Sequence, residues 1–291
     1  MTITNKHQLP EGIVKAVTTE RHNKTDKELS ATTLLKGIKE IILTNRHWDK
    51  LTDDVADRIW AIFGTAVHSL LEHEGKYDFS ECLLDAIHQD IRITGKIDNY
   101  NMETGTVTDY KTASVWKVIV GDLEDWRMQG LIYAWLLNKS DLRIEKCRFV
   151  AILKDHSKSK AKYDSSYPQS PVFIYEFPVS LKEFNETETF INERISMYKK
   201  NMDKPDDEIP PCTDKERWAS ETEYVVMKTG NKRAVKKFTN IIDAQKMATE
   251  KGVGHYVETR PGVSKKCAEY CLCCDYCNFY NNFVKNQTIE E

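Results

Sequence analysis

The sequence predicts a mixed α/β fold, in which a central sheet with helices on both faces is followed by a small C-terminal module. Over roughly the first two thirds of the chain, short β-rich runs alternate with runs of helical periodicity, a pattern typical of α/β sheets. The Pro- and Asp-rich segment 203–211 then precedes a basic, Cys-rich remainder. We expect a flexible arm over 1–28, a core over 29–202, a linker over 203–222 and the module over 223–291.

Composition and charge exclude several classes of protein. The 291 residues are 40% hydrophobic and 30% charged, with a net charge of −3, so the chain is not a polycation and any nucleic acid must be held by local patches. No apolar run reaches the length of a membrane span, and the N-terminus lacks the apolar core of a signal peptide. We expect a cytoplasmic protein of a cell, or of a phage within it.

A hairpin at the centre of the core carries the first candidate site. Two β-rich runs between Ile93 and Thr112 flank the turn 101–105. Asp98 lies on the first strand, and Asp109 and Lys111 share one face of the second. Because adjacent strands lie about 4.8 Å apart, these carboxylates could converge on Mg²⁺ or Mn²⁺. The alternative is a solvated hairpin end.

Two helices flank this hairpin in the sequence. The first is predicted over 53–74, with a broad apolar side built for burial and a narrow polar stripe that includes Gly64, His68 and Glu72. The second, over 121–138, is apolar nearly all round and carries Gln129 and Tyr133 one turn apart. Such polar groups on a buried helix need partners, which are either structural hydrogen bonds or a substrate backbone. The stripe is interpreted as a cleft lining rather than a solvated face.

The remaining elements are predicted from the periodicity of apolar residues and from local composition. A first helix is capped by Ser30 or Thr32 and runs through Ile42, and the segment from Ser80 to Ile93 leads into a strand. Further strands are predicted over 147–153 and 172–177, on either side of a Lys- and Ser-rich loop. A helix over 181–201 closes the core.

The C-terminal module is predicted to be a small ββαβ unit. A hairpin over 224–238 is followed by a helix over 241–251 and a strand over 255–258. Lysine commonly guards an edge strand, but like charges without an acid also suit phosphate contacts. The positively charged residues of the hairpin are Lys228, Lys232, Arg233, Lys236 and Lys237.

Cysteine clusters beside this module. Five of the eight Cys residues fall within the eleven residues Cys267 to Cys277, and Cys212 follows Pro210-Pro211. In a reducing compartment this density indicates a metal site, Zn²⁺ or an iron–sulfur cluster, rather than disulfides. A site of four ligands leaves at least two of these six thiols spare. Cys82 and Cys147 stand singly and are predicted to be small buried side chains.

Four short motifs together resemble a known family, the PD-(D/E)XK nucleases. The likeness is to the RecB-like exonuclease branch, which includes CRISPR-associated RecB-like exonucleases and phage homologues, and it covers about Ser30 to Phe177. Each motif is weak alone, and their order and spacing give the signal. They are Gly64-Thr65-Ala66-Val67-His68, Gly95-Lys96-Ile97-Asp98, Asp109-Tyr110-Lys111-Thr112 and Gln129-x-x-x-Tyr133.

The resemblance implies a restriction-endonuclease-like core and an activity. His68, Asp98 and Asp109 would ligate Mg²⁺ or Mn²⁺, with the Tyr110 carbonyl as a further ligand. Lys111 would position the attacking water or stabilise phosphate charge, and Gln129 and Tyr133 would help to hold DNA. The implied function is exonucleolytic hydrolysis at DNA ends or single strands in recombination or repair, together with recombination partner proteins. Charge relief and an activated water are what phosphodiester hydrolysis requires.

The resemblance also bears on the cysteines. Iron–sulfur members usually have one Cys ahead of the nuclease motifs and three near the C-terminus, whereas here no Cys precedes His68. Cys212 would then complete the set, with Cys267, Cys271 and Cys277. A [4Fe–4S] cluster is favoured over Zn²⁺. Two other functions stay open: a DNA-binding or assembly component that does not cleave, and a redox-responsive cysteine protein.

Overall fold

The computed structural model describes residues 1–18, 27–71 and 78–285. The chain forms two compact units, Met1–Asp203 and Lys204–Glu291, which are called unit 1 and unit 2 below. The elements of unit 1 are, in chain order, β1 Thr2–Thr4, α1 Glu11–Thr18, β2 Glu28–Ser30, α2 Ala31–Leu34, α3 Ile38–Arg46, β3 Thr52–Asp54, α4 Val55–Leu71, β4 Phe79–His88, β5 Ile91–Asn101, β6 Thr106–Ala113, α5 Val115–Val120, α6 Glu124–Lys139, β7 Lys146–Leu153, α7 Lys158–Tyr163, β8 Val172–Pro178 and α8 Leu181–Asn201.

The main sheet of unit 1 is mixed, as predicted. Its strand order is β2-β5-β6-β7-β8, and β4 pairs with the other edge of β5. β6 and β7 run parallel over the full length of β6, while β7 pairs antiparallel with β8 and β4 with β5. The predicted run from Ser80 to Ile93 is therefore two strands, because the chain reverses at Gln89-Asp90, where both residues have positive φ.

One edge of β5 is divided between two partners. Residues 92–94 pair in parallel with β2, and residues 99–101 pair antiparallel with β6. Residues 95–98 lie between these two partners, and no strand of the described residues pairs with them on this edge. The Gly95-Lys96-Ile97-Asp98 motif therefore occupies an opening in the sheet.

Helices cover both faces of the sheet, as predicted. α6 packs against the strands on the face that carries Gly95 and Asp109, and ten of its residues, from Trp126 to Leu137, are buried. α4 lies on the other side of β6, where Gly64 approaches the Thr112 hydroxyl. The prediction of a buried helix with Gln129 and Tyr133 is confirmed.

The prediction that α4 is built for burial is wrong. Only Val55 of this helix is buried, and the apolar side chains of Trp60, Phe63 and Leu70 are 56%, 51% and 71% exposed. Periodicity identified an apolar side but not whether another element would cover it. The predicted continuation of the helix through Glu72 to residue 74 lies outside the described residues.

The N-terminal segment is not the loose arm expected over 1–28. In its described part, β1 pairs in parallel with β3, and α1 packs against α4. The Asp54 carboxylate accepts hydrogen bonds from the Thr4 hydroxyl at 2.6 Å and the Lys6 N–H at 3.0 Å. These bonds lower the pKa of Asp54 to about 2. The polar composition of the segment concealed this long-range pairing.

Unit 2 contains the predicted ββαβ module. The strands are β9 Glu223–Lys228, β10 Lys236–Phe238 and β11 His255–Arg260, in the order β10-β9-β11, and α9 Ile241–Lys251 packs against them. The short helix α10 Lys265–Glu269 follows. The sheet is antiparallel throughout, so the predicted hairpin is confirmed.

Candidate metal centre

The centre lies where β5 and β6 separate. Their ladder begins at the hairpin end and stops at the pair Asn99 and Thr108. At the next position the Asp98 carboxylate takes the place of a backbone acceptor, since its Oδ2 accepts the Tyr110 N–H at 2.6 Å. This bond holds a 6% exposed carboxylate in the opening of the sheet, with its other oxygen directed at α4.

His68 connects α4 to the place where β5 and β6 separate. Its Nε2 donates a hydrogen bond to the Tyr110 carbonyl oxygen at 2.8 Å, so both backbone groups of Tyr110 are used by the site. The other ring nitrogen, Nδ1, therefore faces Asp98 Oδ1 at 3.1 Å. The hydrogen bond from His68 to the Asp98 carboxylate raises the pKa of His68 despite the partial burial of the ring.

Glu81 is a third member that the sequence did not indicate. The pairing of β4 with β5 skips this residue, whose φ is +50°, and its carboxylate turns towards α4. Glu81 Oε1 lies 3.8 Å from His68 Nδ1, and Glu81 is also ion-paired with Lys96. Ligand atoms of His68, Glu81 and Asp98 all lie within 4.8 Å of one another. This spacing and the hard oxygen donors suit a divalent cation.

Asp109 and Lys111 lie in the same cavity but are engaged with each other. Lys111 Nζ is 2.7 Å from Asp109 Oδ2, so the two side chains form an ion pair. Burial raises the pKa of Asp109 to about 6, although the Lys111 ammonium opposes the shift. A divalent cation at Oδ2 would therefore share this oxygen with the ammonium.

Gln129 connects the groups on β6 to α6. Lys111 Nζ donates to Gln129 Oε1 at 3.0 Å, while Gln129 Nε2 donates to Asp109 Oδ1 at 3.1 Å and to Tyr133 Oη at 2.7 Å. Gln129 and Tyr133 are both buried. Hydrogen bonds to neighbouring side chains are therefore present on this helix, and both residues also line the cavity, so their contact with a substrate stays a prediction.

These side chains line one cavity of about 760 Å³. On one side it presents the cluster of His68, Glu81 and Asp98, and on the other the Asp109–Lys111 pair. Such an arrangement can hold a hard divalent cation next to a fixed ammonium. The structure thus brings the predicted residues into one cavity, but the tight cluster contains Glu81 in place of Asp109.

Gly95 keeps α6 against this site, which gives a first prediction. A Cβ at position 95 would lie 2.6 Å from Leu136 Cδ1 and 3.0 Å from the Tyr133 ring. We expect Gly95→Ala to destabilise unit 1 by about 1–3 kcal/mol, because one side chain must shift. Urea denaturation measures this, with Gly12→Ala as control, since nothing lies within 4 Å of a Cβ there. Equal stability of the two variants would contradict the prediction.

The role of Glu81 gives a second prediction. Because Glu81 supplies one of three clustered ligand atoms, Glu81→Gln is expected to weaken Mn²⁺ binding by about tenfold to a hundredfold. Titration calorimetry measures the affinity. Asp85→Asn is the matched control, since Asp85 is an exposed carboxylate of β4 that pairs with Arg92 at 3.0 Å. Unchanged Mn²⁺ affinity of Glu81→Gln would remove this residue from the centre.

The protonation of the site gives a third prediction. The pKa of His68 is raised and that of Asp109 is raised to about 6, so at pH 6 most of the His68 rings and about half of the Asp109 carboxyls hold a proton that a cation must displace. Mn²⁺ affinity is therefore expected to increase between pH 6 and pH 8. Calorimetry in buffers of different ionisation enthalpy measures the protons released, and a flat affinity over this range would be inconsistent with the site.

The late cysteines and Cys212 come together in unit 2. Arg217 connects the two segments that carry these cysteines. Its guanidinium donates a hydrogen bond to the Cys212 carbonyl and lies 4.2 Å from the Phe279 ring centroid. Its own carbonyl accepts a hydrogen bond from the Lys266 backbone N–H at 3.0 Å. Burial, and after it the neighbouring Cys271, Cys212 and Cys277, raise the pKa of Cys267 to about 12. The Cys267 thiol is therefore close enough to the other three predicted ligands to be affected by their charge.

The other thiols differ in their surroundings. Cys273 is buried, with its Sγ 3.6 Å from Cys271 Sγ, and burial raises the pKa of Cys274 to about 11. Within the described part of the chain, no three of the thiols lie within 4.8 Å of one another. In unit 1, the prediction of a buried Cys147 is confirmed, whereas Cys82 is half-exposed on the edge strand β4.

The five basic side chains of the hairpin in unit 2 are all exposed. Lys237 pairs with Glu223 at 2.7 Å, and Lys236 Nζ lies 5.0 Å from the Phe238 ring centroid. The acidic Glu223, which directly precedes the predicted hairpin, therefore pairs with one of its lysines. The helices of the described residues are too short or too polar to cross a membrane.

Comparisons with known proteins were made by sequence and by structure. No protein-family model matches the chain, and no curated protein matches it by sequence. A solved structure named SSO0001 has a TM-score of 0.44 at 19% identity and covers 64% of this chain and 84% of its own. A phage-related exonuclease from Haemophilus somnus has a TM-score of 0.38 at 14% identity, and the match covers 60% of this chain and 92% of the exonuclease. The alkaline exonuclease LHK-Exo from Laribacter hongkongensis has a TM-score of 0.38 at 10% identity, and the match covers 60% of this chain and 90% of LHK-Exo.

Proposed function

We propose that the chain is a divalent-metal-dependent deoxyribonuclease that hydrolyses phosphodiester bonds. The observation that carries the proposal is the cluster of His68, Glu81 and Asp98 in the same cavity as the Asp109–Lys111 pair. Clustered carboxylates beside a lysine are suited to an anionic substrate only when a cation is bound, because the carboxylates would otherwise repel the phosphate.

The residues that would hold Mg²⁺ or Mn²⁺ are those of the cluster. His68 offers Nδ1, Asp98 offers Oδ1, and Glu81 offers Oε1. Asp109 offers its buried Oδ2, and the Tyr110 carbonyl stays a proposed further ligand. When bound, the cation supplies an activated water and neutralises charge on the scissile phosphate.

Lys111 adds a second positive charge that does not depend on the metal. Its ammonium is held by Asp109 and Gln129 and lies 5.7 Å from the centroid of the Phe149 ring. We assign it to a phosphate oxygen or to the attacking water. A charge that is already held in place stabilises developing negative charge without reorganisation. Gln129 and Tyr133 keep Asp109 and Lys111 in place.

The finer parts of the proposal follow the motif resemblance. They are exonucleolytic action at DNA ends or single strands, in recombination or repair, and phosphate contacts by the basic hairpin of unit 2. The five exposed side chains of that hairpin support such contacts, although Lys237 shares its charge with Glu223. Neutralising phosphates would make the binding salt-dependent.

We further propose that Cys212, Cys267, Cys271 and Cys277 hold a [4Fe–4S] cluster. A tetrahedral Zn²⁺ site with bonds of about 2.3 Å brings its sulfurs roughly 3.8 Å apart. Cys271 and Cys273 Sγ lie 3.6 Å apart, and no three of the described thiols lie within 4.8 Å of one another, so the preference for a cluster over Zn²⁺ follows the motif resemblance. The soft thiolate donors fit either group, and metal binding would offset the repulsion that raises the pKa of Cys267.

The test is a nuclease assay on end-labelled single- and double-stranded DNA with Mg²⁺, Mn²⁺ or EDTA. We expect cleavage with either ion and none with EDTA. Mononucleotide products would indicate an exonuclease, and internal fragments an endonuclease. Binding of DNA without cleavage in Mn²⁺ would contradict the proposal and leave a DNA-binding component that retains the fold.

A further inference from the structure

A row of residues on α4 leads away from the metal centre. His68, Gly64 and Trp60 follow one another at intervals of four residues, about 6 Å each along the helix. Their neighbours on the sheet advance in step: His68 contacts the Tyr110 carbonyl, Gly64 faces the Thr112 hydroxyl, and Trp60 lies beneath Lys154. The backbone N–H of Lys154 bonds the Ala113 carbonyl, so α4 runs antiparallel along β6.

The far end of this row is an exposed aromatic residue with a cation on it. Trp60 is 56% exposed, although Lys154 Nζ lies 4.1 Å from its ring centroid and the Phe63 ring 5.6 Å away. Within residues 1–18, 27–71 and 78–285, no carboxylate lies at ion-pair distance from Lys154. A large apolar ring and a cation without an acid therefore face solvent together.

We propose that Trp60 and Lys154 bind a single strand of nucleic acid that enters the metal centre, with Trp60 stacking on a base and Lys154 contacting a phosphate. This inference rests on the proposed function and names the form of its substrate. Base faces are accessible only in single strands or frayed ends, and stacking on aromatic side chains beside cations is how such strands are held. Trp60 is about 12 Å from His68 along α4, a few nucleotides from the proposed cleavage position.

The charge at this position favours a nucleic acid over a protein partner. A protein partner would have to supply both an acid for Lys154 and an apolar surface for Trp60, since burying the ammonium without an acid is costly. A strand of nucleic acid supplies the phosphate and the apolar base together. The alignment of Trp60 with Gly64 and His68 also gives this strand a direct path along α4 to the cavity.

The experiment measures binding of two dye-labelled 12-mers by fluorescence anisotropy, with Ca²⁺ in place of Mg²⁺ and a gel to verify that they stay intact. One is oligo-dT and the other has the same backbone with abasic sites. The full-length chain is compared with Trp60→Ala, Trp60→Phe, Lys154→Ala and Leu70→Ala. Leu70 is the matched control, because it is an exposed apolar residue on another face of α4.

Trp60→Ala is expected to bind oligo-dT about tenfold more weakly and the abasic strand unchanged, while Trp60→Phe and Leu70→Ala keep most of the affinity. Lys154→Ala should weaken both strands and reduce the salt dependence by about one phosphate contact. Equal affinity of the parent for both strands, or equal losses for both in Trp60→Ala, would overturn the inference. These outcomes are independent of cleavage: metal-dependent cleavage without base-dependent binding contradicts only this inference, and the reverse contradicts only the nuclease proposal.

Discussion

Asp109→Asn is expected to reduce metal-dependent DNA cleavage by about 10³-fold or more, without unfolding the protein. The substitution keeps the shape of the side chain and an acceptor for Gln129, but it removes the charge that a cation would bind at Oδ2. Burial opposes the charge of this carboxyl and raises its pKa to about 6, which offsets part of the stability lost when Lys111 loses its ion-pair partner. We expect the unfolding free energy at pH 7 to stay within about 1 kcal/mol of the parent's.

Cleavage rates and urea denaturation, measured on the same preparations, separate these two effects. Asp125→Asn is the matched control, because Asp125 is an exposed carboxylate that pairs with Lys117 at 2.9 Å outside the cavity. The control should cleave at the parental rate. Parental cleavage by Asp109→Asn would exclude the proposed site, whereas a loss of folding would show that the negative charge has a structural role.

Cys267→Ser is expected to eliminate the bound metal and to destabilise unit 2 by several kcal/mol. Cys267 is chosen because its pKa is raised by all three of its proposed co-ligands. Replacing it would leave the proposed site with three of its four ligands. Anaerobic purification, iron and zinc analysis and the visible absorption of an iron–sulfur cluster measure the metal. Thermal unfolding followed by near-UV circular dichroism measures the stability.

Cys82→Ser is the matched control, since Cys82 is a half-exposed thiol of unit 1. It should retain the metal content of the parent. Stoichiometric zinc and no iron in the parent would exclude the cluster but keep the thiolate site. Full metal content in Cys267→Ser would instead indicate that Cys273, 3.6 Å from Cys271, or Cys274 completes the set.

Much of the Asp109 side of the cavity could be predicted from local spacing. Asp109 and Lys111 alternate on one strand, and residues two apart necessarily share a face. Gln129 and Tyr133 lie one turn apart on a helix whose apolar residues leave no solvated side, so their polar groups had to be satisfied internally. The hairpin turn brought Asp98 near β6, because strand pairing propagates from a turn.

Glu81 and Trp60 could not be predicted in this way. A single Glu in a β-rich run carries no periodic signal, and its place beside Asp98 depends on the register of β4 against β5 and on a positive φ. Trp60 was assigned to a buried side because helical periodicity distinguishes the faces of a helix but not their coverage. Coverage depends on which elements pack there.

The sequence by itself determined the order of strands and helices in the core, the ββαβ module, and the residues that α6 and β6 present to one another. Only the tertiary structure decided that β5 shares one edge between β2 and β6, which opens the sheet at Asp98, and that Glu81 joins His68 there. The physical reason is that spacing along a chain fixes which side chains share a face, whereas the meeting of three separate segments depends on long-range pairing that no local pattern encodes.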